Sequence, residues 1–95
     1  MSFKYYCTDY TYNDGGRAYS VSDIETDYSG MEILYVYVER PSMTGSGFDS
    51  AIQKLPQRIF VRAFGFSENE LFEVEQFLLN NEVTFWNLAR GVYES

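Results

Sequence analysis

Six consecutive residues, Ile33-Leu34-Tyr35-Val36-Tyr37-Val38, are all good strand formers, and they are followed by Glu39, Arg40 and Pro41. Such a run suits a pleated, half-buried surface. Period-two geometry puts Leu34, Val36 and Val38 on one face and Ile33, Tyr35 and Tyr37 on the other. Pro41 has no N–H to give to a ladder and ends the strand. A fold for this chain must therefore set this strand in a sheet and cover at least one of its faces.

The segments before it are compatible with that sheet. Residues 2–12 are rich in aromatics and Thr, and alternation places Phe3, Tyr5 and Cys7 opposite Lys4, Tyr6, Thr8, Tyr10 and Tyr12. Asn13-Asp14-Gly15-Gly16 supplies residues that tolerate positive φ, as a tight hairpin demands. A second strand is expected from Arg17 through Ala18, Tyr19, Ser20 and Val21. The polar, acidic stretch Ser22–Gly30 ends in a turn signal and leaves room for that strand to extend.

Beyond Pro41 the pattern changes. Pro41–Gly47 reads as a loop. Phe48, Ala51, Ile52 and Leu55 fall at helical spacing, which predicts a short connecting helix over 48–55, stopped by Pro56. Gln57–Phe64 reads as a strand, with Ile59, Val61 and Ala63 on one face and Arg58, Phe60, Arg62 and Phe64 on the other. Ser67-Glu68-Asn69-Glu70 is a capping box, and acids in a first turn suit the helix dipole. Leu71, Val74 and Leu78 continue as an apolar stripe that Phe72 and Phe77 widen. Asn80-Asn81 predicts a break, after which Phe85, Leu88, Ala89 and Val92 resume helical spacing. The expected fold is α+β: an antiparallel sheet of three to four strands, a short connecting helix, and C-terminal helix or helices packed on one face. With the helices over Leu34, Val36, Val38, Ile59, Val61 and Ala63, the residues Tyr35, Tyr37, Arg58, Phe60, Arg62 and Phe64 share the open face.

Composition bounds size and chemistry. The 95 residues fit one domain spanning 1–95, and 19% aromatic content lets few side chains fill a core. Acids outnumber bases 14 to 7, giving net charge -7 without any His. That charge is repelled by nucleic-acid phosphates and by anionic lipid, and it suits a basic protein surface. The one cysteine, Cys7, rules out an intrachain disulfide. No apolar run is long enough to span a bilayer, and Met1–Tyr6 lacks the apolar core of a signal peptide, so the expected location is cytoplasmic.

Catalysis and cofactors find little support in the residues. Without His, the commonest general base and neutral metal ligand are missing. A lone Cys without His is a poor nucleophile set, and Gly45-Ser46-Gly47 lacks the lysine of a phosphate loop. Asp23, Glu25 and Asp27 alternate as calcium ligands do, but the sixth residue from Asp23 is Tyr28 and the twelfth is Leu34, where Gly and Glu are required. The expectation is a protein that is not an enzyme, with no metal and no cofactor.

What remains is recognition. Tyr10, Tyr12, Asp14, Tyr19, Asp23, Glu25, Asp27, Tyr28 and Glu32 interleave tyrosines with acids around the first hairpin and the loop after it. Tyr offers rigid contact area, and carboxylates accept bidentate bonds from Arg. These nine form the candidate partner-binding set, directed at a basic protein surface such as that of a nucleic-acid-binding protein. Tyr35, Tyr37 and Phe60 on the open sheet face form a candidate self-association surface, and thus a homodimer. The run Arg58–Phe64 echoes the aromatic strand of the RNA-recognition motif but lacks its glycines. In size, acidity and want of a catalytic set, the chain is similar to bacteriophage anti-defence inhibitors, anti-CRISPR and anti-restriction proteins among them, and to toxin-neutralising immunity proteins. That resemblance implies an inhibitor acting by protein–protein contact. The alternative is a structural or assembly module.

Overall fold

The computed structural model describes the backbone of residues 3–9 and the whole of residues 16–42 and 45–91. In chain order these form β1 (Phe3–Asp9), β2 (Arg17–Ser22), β3 (Glu25–Thr26), β4 (Glu32–Pro41), β5 (Phe48–Leu55), β6 (Ile59–Phe64), α1 (Glu68–Asn80) and α2 (Glu82–Arg90). The protein is α+β. An antiparallel meander of order β1-β2-β4-β5-β6 carries β3 against β4, and the two C-terminal helices cover one face.

β4, the strand legible from its run of β-formers, sits between β2 and β5. Leu34, Val36 and Val38 point under the helices and are fully buried. They meet Tyr19 and Val21 of β2, Ala51 and Leu55 of β5, Val74 and Leu78 of α1, and Phe85 of α2. Tyr19 is 0% exposed. Its ring stacks on Phe77 at 4.4 Å between centroids and lies 6.1 Å from Phe85.

Both first-hairpin strands form as expected, β1 pairing with β2 from Phe3↔Ser22 to Asp9↔Arg17. The hairpin tip lies outside the described residues. The second strand ends at Ser22, and after Asp23 and Ile24 a separate short strand, β3, pairs with β4 through Glu25↔Ile33 and Thr26↔Glu32.

Residues 48–55 are a strand, not the expected connecting helix. β5 pairs with β4 over its whole length, from Pro41↔Phe48 to Leu34↔Leu55. Its inward positions are Asp49, Ala51, Gln53 and Leu55. Two polar residues among them erase the apolar alternation that marks a strand, so the accidental helical spacing of Phe48, Ala51, Ile52 and Leu55 dominates the pattern. Eight ladder pairs outweigh that weak local preference.

β6 also departs from expectation, and a bulge is the reason. Ala63 pairs with Ala51 and Arg62 with Ile52, but the register shifts before Gln53↔Phe60 and Lys54↔Ile59. Val61 is the extra residue. One added residue reverses the alternation beyond it. Phe60 therefore packs against the core, while Ile59 and Val61 are 55% and 53% exposed. The helices do not cover Ile59 or Val61, and Phe60 does not belong to the open face.

α1 starts at the capping box. Glu70 N–H donates to Ser67 Oγ at 3.2 Å, and Ser67 N–H donates to Glu70 Oε1 at 3.0 Å. Asn81 separates the helices, its side-chain amide donating to Phe77 O at 2.8 Å. Gly91 closes α2 at φ 77°, a left-handed cap. A buried arginine ties α1 to the sheet. Arg40 is 4% exposed and hydrogen-bonds Glu70 through Nη1. It donates from Nη2 to Gly65 O at 3.0 Å and keeps Nε 3.4 Å from Asp49 Oδ2. Its guanidinium also lies 4.6 Å from the Phe66 ring centroid.

Candidate interaction site

The acidic stretch folds into an ordered projection at one end of the sheet. Between β3 and β4 the chain turns back through Asp27–Met31, with Asp27 N–H donating to Met31 O at 2.9 Å and Gly30 N–H to Asp27 O at 3.0 Å. Gly30 has φ 87°, which a side chain would strain. The Asp27 carboxylate organises the turn from within. Its Oδ1 accepts from Ser29 Oγ at 2.7 Å, Ser29 N–H at 2.9 Å and Met31 N–H at 3.0 Å. The Ser29 hydroxyl first, then these backbone donors and the Lys54 charge, hold the Asp27 carboxyl below the usual carboxylate range.

Holding the turn this way leaves Tyr28 fully exposed at its tip. Asp23, Glu25 and Glu32 are exposed around it. Four residues of the predicted partner-binding set, Glu25, Asp27, Tyr28 and Glu32, thus come together on this turn and the strands it joins, and Asp23 lies exposed in the link between β2 and β3. Asp27 shapes the turn rather than facing outward. Tyr19 leaves the set, because its ring is the centre of the core and no partner can reach it. Tyr10, Tyr12 and Asp14 lie outside the described residues.

An open cleft of about 610 Å³ runs between this turn and α2, lined by Met31, Glu32, Val83, Trp86 and Arg90 among others. Arg90 closes one side, donating to Glu32 Oε1 at 3.1 Å and lying 5.2 Å from the Trp86 ring centroid. Sequence reasoning missed this cleft. The signal for it is the i, i+4 spacing of Trp86 and Arg90, which stacks the two on one helix face.

The open face of the sheet is a second surface. Cross-strand rows run Tyr35–Lys54–Ile59 and Tyr37–Ile52–Arg62. Tyr35 and Tyr37 are half-buried there, whereas Phe60 points to the opposite side. Tyr37 donates its hydroxyl to Glu39 Oε2 at 3.2 Å. Burial first, then the Glu39 charge and that hydrogen bond, push the Tyr37 hydroxyl up from its ordinary value.

Among the described residues, no group of three or more His, Cys, Asp or Glu side chains is placed to hold a metal ion, and no helix is long and apolar enough to cross a membrane. No family model matches the chain, and no curated protein or solved structure matches it.

Proposed function

We propose that this protein is a non-catalytic binding module that docks its tyrosine-tipped acidic turn onto a basic surface of another protein and thereby inhibits it. The observation that carries this reading is the pairing of full exposure at Tyr28 with a turn fixed by three hydrogen bonds to Asp27. A turn already ordered loses little conformational entropy on binding, and tyrosine is among the residue types that dominate interface energetics. The exposed carboxylate of Glu25, joined by those of Asp23 and of Glu32, the last of which also accepts from Arg90, supplies the charge that selects a basic partner. A nucleic-acid-handling protein is the partner class proposed, because its binding groove is the commonest strongly basic surface that such a turn would block.

The test is affinity capture compared across variants and salt. The partner retained by the native protein should be basic, and raising salt from about 0.05 to about 0.5 M should weaken its capture. Tyr28→Ala should cost about 2 kcal/mol of binding, roughly thirtyfold, with the fold unchanged. A partner held equally well by Tyr28→Ala and by Glu25→Lys, or indifferent to salt, would refute the proposal.

A further inference from the structure

β6 is an edge with a built recognition surface on each side of it. Among the described residues it pairs with β5 alone, so its outer N–H and C=O groups are open. Native sheets normally blunt such an edge with charge, Pro or a covering loop. Here the strand reads Ile59-Phe-Val-Arg-Ala-Phe64, with no Pro, with Arg62 as its one charge and the bulge at Val61 as its other blunting device, and Phe64 is 64% exposed.

The two sides of this edge differ in chemistry. On the helix side a recess of about 260 Å³ is lined by Phe60, Leu71, Phe72, Glu68 and Glu75. Phe72, on the rim of this recess, is 61% exposed. On the open side stand Lys54 and Arg62, and neither side chain has an ion pair or hydrogen bond among the described residues, although the Lys54 charge also reaches Asp27. Two cations without a side-chain ion pair beside an open strand, Arg62 above all, stand out in a chain of net charge -7.

We infer that β6 is a docking edge for an extended segment of a partner polypeptide in which apolar and acidic residues alternate. The segment adds to the sheet by backbone pairing, as β-augmentation does generally. Alternate side chains of an added strand point to opposite faces. One set enters the Phe60–Leu71–Phe72 recess, where Glu68 and Glu75 exclude carboxylates. The other set places carboxylates over Arg62 and Lys54. This surface is distinct from the acidic turn, so the protein bridges two partners of opposite charge or grips one partner twice.

The experiment uses the intact protein and a fluorescent peptide of alternating Val and Glu, matched in length to β6. Fluorescence anisotropy should show saturable binding below about 1 mM. Amide resonances of Ile59–Phe64 should shift on addition. Arg62→Glu should weaken binding at least about tenfold, and Phe72→Ser should weaken it with helix content unchanged by circular dichroism. Tyr28→Ala should leave it unaltered, which separates this inference from the proposed function. Equal binding of a Val/Lys peptide, or of a Val/Glu peptide N-methylated at alternate residues, overturns it. So does failure of the Val/Glu peptide to bind the folded protein at about 1 mM. A single-stranded oligonucleotide binding at β6 in its place, or a concentration-dependent dimer through β6 that the peptide does not dissociate, also overturns it.

Discussion

Tyr19 and Tyr28 are both tyrosines of the Tyr–acid hairpin region, and the structure assigns them opposite fates. Tyr19→Ala should cost most of the protein's stability, and Tyr28→Ala should cost none. Tyr19 is 0% exposed, stacked on Phe77 at 4.4 Å and tilted against Phe85 at 6.1 Å. Truncating a buried ring to Ala costs about 3–5 kcal/mol through lost transfer energy and the cavity left behind. Losing a stacked aromatic pair adds about 0.5–1.5 kcal/mol. The sum, about 3.5–6.5 kcal/mol, is comparable to the about 5–15 kcal/mol that holds a domain of this size together. Urea unfolding followed by the fluorescence of Trp86, the protein's single tryptophan, reads this directly. With a slope of about 1.5 kcal/mol per M, a loss of about 4 kcal/mol moves the midpoint down by about 2.7 M. Tyr28→Ala should stay within about 0.5 kcal/mol of the native protein. A Tyr19→Ala protein whose midpoint matches that of Tyr28→Ala would refute the placement of β2 under the helices.

The ion cluster at the foot of α1 gives three more tests. Arg40→Ala leaves Asp49 and Glu70 without their cation and should cost about 3–5 kcal/mol by the same urea assay, whereas a joint replacement of Arg40, Asp49 and Glu70 by apolar residues should recover much of that loss. Gly65→Ala should destabilise by more than about 1 kcal/mol in thermal melts, because φ is 83° and the added Cβ would fall 2.1 Å from Asp49 Oδ1. Acid should unfold the protein partly through Glu70. Burial alone pushes that carboxyl up, but hydrogen bonds from Ser67 and Arg40 and the Arg40 charge outweigh it, so its folded value lies below its unfolded one. The stability it contributes is therefore present above the ordinary Glu range and is lost as pH falls through the folded value. Glu70→Gln should flatten that acid limb in a stability-against-pH series.

Where local chemistry decided the structure, the sequence was legible. The capping box at Ser67 and Glu70, the break at Asn81, the run over β4 and the pairing of β1 with β2 all rest on residues that act within a few positions of themselves. The helix expected over β5 and the facing expected for β6, a strand that does form, depart from the structure where distant partners decide. Asp49 and Gln53 occupy inward positions because Arg40 and Glu75 answer them from elsewhere in the chain, Asp49 opposite Arg40 at 3.4 Å and Gln53 donating to Glu75 at 3.4 Å. A polar residue satisfied by a distant partner is indistinguishable, in one sequence, from a polar residue facing water. The bulge at Val61 is likewise a register event between two strands, and no residue type in Ile59–Phe64 announces it. The acidic turn was found as a cluster of residue types. That Asp27 would serve the turn while Tyr28 faced outward required the hydrogen bonds themselves.

Net charge, which looked like a uniform property of the chain, resolves into a distribution. Arg17 and Arg40 are 2% and 4% exposed, and both face acids, Arg17 lying 3.5 Å from Glu73 and Arg40 lying against Asp49 and Glu70. Arg58 and Arg90 lie on the surface within reach of Glu82 and Glu32. Arg62, together with Lys54 whose charge also reaches Asp27, is then the described cation left to meet an outside charge, and the two lie on the open face of β5 and β6. The acids of the turn, by contrast, surround Tyr28 at the β3–β4 end. Charge of opposite sign gathered at the two places orients an approaching partner locally, the acids of the turn favouring a basic surface and the cations an acidic one. Reversing charge at the two places should therefore affect different steps. Glu25→Lys should slow association with a basic partner at low salt and lose that effect as salt screens it. Arg62→Glu should leave that association rate unchanged and act only on what binds along β6. Equal effects of the two reversals on one association rate would mean that net charge alone matters, and the separation of the surfaces would carry no function.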